Sequence, residues 1–195
     1  MPFNFNQLSC NLNSQICTTF TIGVIINKRY FLNKVKKYIS PNCDILAWCL
    51  MPNHFHFLIH ANANIIHLVK ETPLKINALT EGLRLLLSTY TQGINVQLNR
   101  TGNLFQQKTK SKCVFEGDEN YGYTTFHYIH QNAYKADLVK KMEDWEFSSF
   151  VDYAGIRNGT LCNMELAASL LNLRAENFVQ DSYALLPDDL LVKIF

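Results

Sequence analysis

No apolar run in the 195-residue chain approaches the length of a membrane span. The amino terminus also lacks the positive stretch that precedes the apolar part of a secretory signal. A membrane-embedded or exported protein is therefore not expected, and the chain reads as cytoplasmic. Cysteine is present but unorganised: Cys10, Cys17, Cys43, Cys49, Cys113 and Cys162 are scattered, with no CxxC pair. That argues against a zinc ribbon or a disulfide scaffold and for reduced, mostly buried thiols. Charge is scarce, at 17% of residues with a net of +2, which by itself points neither toward nor away from nucleic acid. Internal repeats and low-complexity linkers are lacking too, so solenoid architectures are excluded.

The distribution of the charge says more than its sum. Residues 1 to 150 carry 15 Lys and Arg against 10 Asp and Glu, whereas 151 to 195 carry 3 against 6. The basic charge sits in the larger, earlier part. Length allows one proper core with an appendage. The expected division is a poorly ordered lead-in over 1–15, a main domain over 16–154 and a helical extension over 155–195.

Periodicity sketches the elements. Ile16 to Ile26 is dense in β-branched residues and predicts a strand. Lys28 to Ile39 alternates apolar and basic residues at helical spacing, leaving Lys36 and Lys37 on an outer face. Asp44 to Leu50 and His54 to His60 read as strands joined through a bend at Pro52 and Asn53. Ile65 to Leu98 is helical in pattern with a break at Pro73. A glycine turn at Asn99 to Phe105 leads into a strand to Phe115, and a helix follows from about Asn120 to Tyr134.

Within this sketch the stretch LMPNHFHFLIH (50–60) carries chemistry. His54 and His56 flank Phe55, and a strand's period of two sends both imidazoles to one face. Two imidazoles side by side on a rigid strand suit one edge of a divalent-metal site. His60 shares their parity but lies too far along the strand to join them. Lys108, Lys110 and Lys112 also alternate. A solvated strand face and a phosphate-binding strip have the same pattern, so both readings stay open.

The string LMPNHFHFLIH resembles the histidine–hydrophobe–histidine signature of the single-tyrosine HUH transposases, in particular the REP-associated tyrosine transposase branch. YIHQNAYKADLV (128–139) is similar to that branch's YIHxNPxKxGLV helix, and KRYFLNKVKKYI, NRTGNLF and EDWEFSSF match in the same order. Ala133 departs from the family's Pro, and Asp137 from its Gly. Without the resemblance, Tyr121, Tyr123, Tyr128 and Tyr134 rank equally. With it, Tyr128 is the expected nucleophile and Asn132 the expected third metal ligand, four residues apart on one helix face. Gln131 is the runner-up ligand, though it points roughly 100° away from Asn132 around the helix.

The resemblance implies an α+β, ferredoxin-like sandwich whose antiparallel sheet carries the two histidines, with the tyrosine helix packed on it. It implies a metal-dependent (Mg²⁺ or Mn²⁺) single-stranded DNA endonuclease and strand transferase acting through a 5′-phosphotyrosine on hairpin-containing DNA. Lys108, Lys110, Lys112, Arg100, Lys36 and Lys37 are the expected DNA contacts, and the protein would act as a monomer or homodimer. The alternative is a non-catalytic or domesticated nucleic-acid-binding module of the same fold, which needs neither the histidine pair nor Tyr128. A zinc hydrolase would need a third His or carboxylate and a catalytic Glu close to the pair, and the segment around His54 offers neither.

Overall fold

The computed structural model describes residues 16–61, 68–70, 76–106, 110–113 and 121–184. The expected lead-in over 1–15 lies outside the described residues, as does Lys108.

Strand β1 (Ile16–Ile22) is followed by helix α1 (Lys28–Tyr38), strand β2 (Cys43–Leu50) and strand β3 (His54–Ala61). Asn27 starts α1 by accepting a hydrogen bond from the Tyr30 amide at 2.9 Å, which satisfies one orphan donor of the first turn. Strand β6 (Lys110–Cys113) completes a four-stranded antiparallel sheet in the order β2-β3-β1-β6. Because β1 and β2 each pair antiparallel with β3, they run parallel to one another, joined by the α1 crossover.

The segment after β3 departs from the expected helix. Leu68–Lys70 (β4) pairs antiparallel with Ile76–Asn77 (β5), and the helix α2 spans only Ala78–Gln97. Its start is set by Asn77, whose side-chain oxygen accepts from the Thr80 amide at 2.8 Å. In the sequence Pro73 falls between these two segments, and a helix running through it would lack a backbone donor. The leucine spacing that predicted helix is real, but it belongs to residues 79 to 94, where Leu79, Leu83, Leu86, Leu87, Tyr90 and Ile94 are buried.

Helices α1 and α2 cover one face of the sheet. Phe31, Val35, Tyr90 and Ile94 meet Trp48, Phe55, Phe57 and Ile59 there in one apolar cluster. Leu104 and Phe105 close its end, and Phe105 bridges to Gly23 so closely that a Cβ on Gly23 would strike the ring. Helix α3 (Tyr121–Lys135) packs on the other face, placing Phe126, Ile129 and Ala133 against Leu46, Ala47, Cys49 and Leu58.

A bulge in β2 serves this second face. Ile45 pairs with Ile59 and Ala47 with Leu58, leaving Leu46 as an extra residue, so Leu46 and Ala47 both join the α3 side. The free edge of β2 is covered. Ser148 bridges Cys49, the Leu50 amide donates to the Phe147 carbonyl at 2.9 Å, and Cys162 bridges Ile45.

The chain after 155 forms helices α5 (Met164–Leu171) and α6 (Phe178–Tyr183), following the short α4 (Phe150–Tyr153). Ala167, Leu171 and Phe178 are buried in the same cluster as α3, so these helices share its core. No helix among the described residues is long and apolar enough to cross a membrane.

Candidate active site

The turn from Met51 to Asn53 launches the histidine strand, and it is pinned from three sides. The Gly23 amide donates to the Asn53 carbonyl at 2.9 Å, the Ile25 amide to the Pro52 carbonyl at 3.1 Å, and the Met51 amide to the His54 carbonyl at 2.9 Å. Alternation then sends Phe55 and Phe57 into the α1/α2 core and leaves His54 and His56 facing α3. The two imidazoles stand edge to face with ring centroids 4.9 Å apart. His56 is 4% exposed, while His54 sits at the rim of the site.

Helix α3 brings its own residues to the same place. The Tyr128 ring lies edge to face with His56 at 6.0 Å between centroids. One turn on, the Asn132 amide nitrogen donates to the carbonyls of Tyr128 at 2.9 Å and Ile129 at 3.3 Å. With its N–H donors tied to the helix, the amide has its oxygen left to offer as an acceptor. The Lys135 ammonium lies 6.0 Å from the centroid of the Tyr128 ring.

Burial sets the electrostatics. It lowers the pKa of both histidines, the His56 value to about 3 with the neighbouring His54 adding to the effect, while the Asn132 amide opposes the shift in both. Both imidazoles are therefore neutral at neutral pH, the protonation state a metal ligand needs. His54 Nδ1 lies 2.7 Å from the side-chain oxygen of Asn53. Nδ1 must be the donor there, which places the ring's lone pair on Nε2. The Tyr128 phenol is pushed up to about 12, chiefly by burial, so its ionisation requires help from groups that gather around it.

Two neutral imidazoles and an amide oxygen on rigid elements fit a six-coordinate divalent cation that keeps positions for water and phosphate oxygens. Among the described residues there is no group of three or more His, Cys, Asp or Glu that could hold a metal, and the third side chain beside the two imidazoles is an amide. Cys49 lies opposite His56 on β2, but burial holds its thiol up at about 12 and it stays protonated.

No known protein family matches the chain by sequence, and no curated protein is similar to it. Among solved structures, that of a REP-associated tyrosine transposase bound to a REP hairpin has the same fold, with a TM-score of 0.54. The match covers 79% of this chain and 94% of that one at 15% identity. The likeness is one of architecture.

The remaining expected residues divide. Gln131 turns away from the histidines: its amide nitrogen donates to the carbonyls of Ser182 at 2.8 Å and Ala184 at 3.0 Å, tying α3 to the end of α6. His127 and His130 are buried, His127 Nδ1 lying 2.9 Å from the Ser182 hydroxyl and His130 Nε2 2.7 Å from the Ser149 hydroxyl. Both are held neutral by burial. His60 stands at the far end of β3, 3.9 Å from Asp44. Lys36 and Lys37 are exposed on α1, across the sheet from the histidines, and Lys36 donates to Thr160 at 3.1 Å. Lys110 and Lys112 are in β6, opposite Phe20 and Thr18 of β1. Arg100 follows α2, its backbone amide held by the Asn95 carbonyl at 2.9 Å.

Asn53, at the bend before the histidine strand, and Lys135, at the lysine of the YIHxNPxKxGLV pattern, also border the site, although neither was expected to have a role there. Asn53 directly precedes the histidine strand, and Lys135 stands seven residues after Tyr128. Helical spacing was the signal available for the second.

Proposed function

We propose that the protein is a metal-dependent single-stranded DNA endonuclease and strand transferase that works through a 5′-phosphotyrosine, on a ferredoxin-like core and in the cytoplasm. The observation that carries this reading is the convergence of His54, His56, Asn132 and Tyr128 between one strand and one helix. A module that only binds nucleic acid has no use for a neutral histidine pair facing a half-buried tyrosine. The shared fold with a hairpin-bound transposase supports the same class of substrate, DNA with a hairpin beside an unpaired strand.

His54, His56 and Asn132 would hold Mg²⁺ or Mn²⁺, with Gln131 engaged elsewhere. When bound, the ion supplies Lewis-acid polarisation of the scissile phosphate. Tyr128 is the nucleophile: its Oη forms a bond to phosphorus while the bond to the 3′ oxygen breaks, giving a 5′-phosphotyrosine and a free 3′-OH. The phosphodiester energy is kept in the tyrosyl ester, so a 3′-OH can reverse the step without a nucleotide cofactor. Asn53 fixes the tautomer of His54, and the bonds from Asn132 to the Tyr128 and Ile129 carbonyls leave its amide oxygen to offer. Arg100, Lys108, Lys110 and Lys112 are the candidate backbone contacts. A chain that holds its own tyrosine helix by α6 can act as a monomer or as a homodimer of complete sites.

The test is incubation of the purified protein with 5′- and 3′-labelled hairpin oligonucleotides copied from the flanks of its own gene, with Mn²⁺ or with EDTA. A metal-dependent covalent adduct on the 5′ end of the cleaved fragment is expected. Binding without an adduct, across several hairpins and both metals, would leave the binding module as the correct reading.

A further inference from the structure

We propose that Cys17 and Cys113 are a redox-sensitive pair: oxidised by exchange with a low-molecular-weight disulfide such as oxidised glutathione, they form a cross-strand disulfide that locks β6 onto β1. The two residues are far apart in the sequence, yet the antiparallel register of β1 and β6 sets them directly opposite one another, on one face of the sheet. Cα atoms of directly opposite residues in such a pair lie about 4.5 or about 5.5 Å apart, the larger value where the two residues exchange hydrogen bonds. Both separations fall within the range of about 4.4–6.8 Å that a disulfide spans. The strand register therefore already meets the backbone requirement for the bond.

Position sets this pair apart from the other described cysteines. Cys43 and Cys49 are in β2 and Cys162 bridges Ile45 of that strand, while β3 stands between β2 and β1. All three are free thiols, and burial raises each pKa, to about 12 for Cys43 and Cys49, so they supply little thiolate at neutral pH. Among the described residues β6 pairs with β1 alone, and the Cys17–Cys113 position is one end of that ladder of four residue pairs. A short edge ladder opens locally at low cost, and a covalent link at its end removes that freedom.

The exchange balances in two steps. One cysteine loses its proton to water and its thiolate attacks the small disulfide, forming a mixed disulfide and releasing a small thiolate that takes a proton from water. The second cysteine, deprotonated in the same way, attacks the protein sulfur of the mixed disulfide, and the second small thiolate leaves and is protonated. Two electrons have passed from the protein to the small disulfide, and an excess of reduced thiol runs the sequence backward. In a reducing compartment such a bond is transient and redox-sensing rather than structural. Lys110 and Lys112 belong to the locked strand, so the bond also fixes the segment that carries these two candidate DNA contacts.

The experiment is equilibration of the folded wild-type chain in glutathione buffers from fully reduced to fully oxidised, followed by acid quench, alkylation of the remaining thiols, digestion and mass spectrometry. A linked Cys17–Cys113 peptide is expected as the main disulfide in the oxidised buffers, lost again on treatment with dithiothreitol. It should be absent from Cys17→Ser and from Cys113→Ser, in which the remaining cysteine of the pair carries glutathione. Hydrogen exchange of the β6 amides should slow by about tenfold or more in the oxidised chain. Wild-type cysteines at 17 and 113 that stay alkylated, or that carry only glutathione, in the most oxidised buffer would overturn the proposal. So would a dominant link from either one to Cys10, or a Cys17–Cys113 link that leaves β6 exchange unchanged. None of these readouts involves DNA, so the outcome is independent of whether the protein cuts it.

Discussion

The two faces of the sheet are built by different rules. On the α1/α2 side, Phe31, Phe55, Phe57, Tyr90 and Ile94 interlock in a nearly pure apolar core, and the Tyr90 hydroxyl is satisfied by the Asn27 amide at 3.0 Å. On the α3 side the same sheet buries His56, His127, His130, Gln131, Asn132, Ser149 and Ser182. Burying polar groups costs free energy that apolar side chains of similar size would not. Both faces hold an apolar cluster, and the α3 face carries in addition buried polar groups whose presence stability alone does not explain.

The contrast is sharpest for Tyr128→Phe. This change removes only a hydroxyl from the polar face, so the melting temperature should stay within about 2 °C of wild type, as for a change of under about 0.5 kcal/mol. Covalent adduct formation should vanish altogether, read on a denaturing gel with end-labelled hairpin DNA. Residual adduct of equal yield would assign the nucleophile to another tyrosine.

The reverse pattern is expected of Phe31→Ala, on the apolar face and fully buried against Phe55 and Tyr90. Loss of the ring should destabilise the protein by about 3–5 kcal/mol in denaturant titration. Adduct formation per folded molecule should be unchanged. A cost below about 1 kcal/mol would mean that this face is loosely packed and that the division between the faces is wrong.

Much of this was legible in the sequence, for physical reasons that also mark where legibility ended. The period of two that put His54 and His56 on one face, and the four-residue spacing of Tyr128 and Asn132, are local geometry and survived folding. The ribbon of β4 and β5 was missed because the leucine periodicity of α2 was extended past the Asn77 cap that ends it. Amphipathicity showed that Lys36 and Lys37 point outward but could not say that α1 lies across the sheet from the histidines. The partners of His127 and His130 were beyond reach as well, because Ser182 and Ser149 are brought to α3 only by the docking of α6 and by the segment along the β2 edge.

The polar face should also reveal itself by pH. Burial lowers the His127 pKa from its ordinary value of 6.5 to about 4, partly offset by the charge of Asp181. As pH falls, the unfolded chain takes up this proton before the folded one does. The contribution of neutral His127 is therefore complete above about pH 6.5 and is lost as the pH falls toward 4, at up to about 1.4 kcal/mol per pH unit. Urea titrations over this range should show that slope, and His127→Asn should make it shallower by a comparable amount. An unchanged slope would mean that His127 is hydrated in solution and that the α3–α6 contact is looser than its hydrogen bond to Ser182 implies.

The smallest effect lies where the tyrosine helix ends. Asp137 adopts a left-handed backbone, φ 53°, just beyond α3, and the Leu138 amide closes back on the Ala133 carbonyl at 3.0 Å. Glycine is the residue that takes this conformation without a steric penalty, and the resembling family places one there. Asp137→Gly should therefore raise stability by about 0.5–1 kcal/mol, and Asp137→Ala should lower it, because alanine keeps the penalty and cannot bond to its own backbone as an aspartate can. A gain from glycine with adduct formation unchanged would make Asp137 a tolerated departure at the end of the helix. A gain in stability accompanied by slower adduct formation would instead show that the rigid end of α3, close to Lys135, belongs to the working part of the polar face.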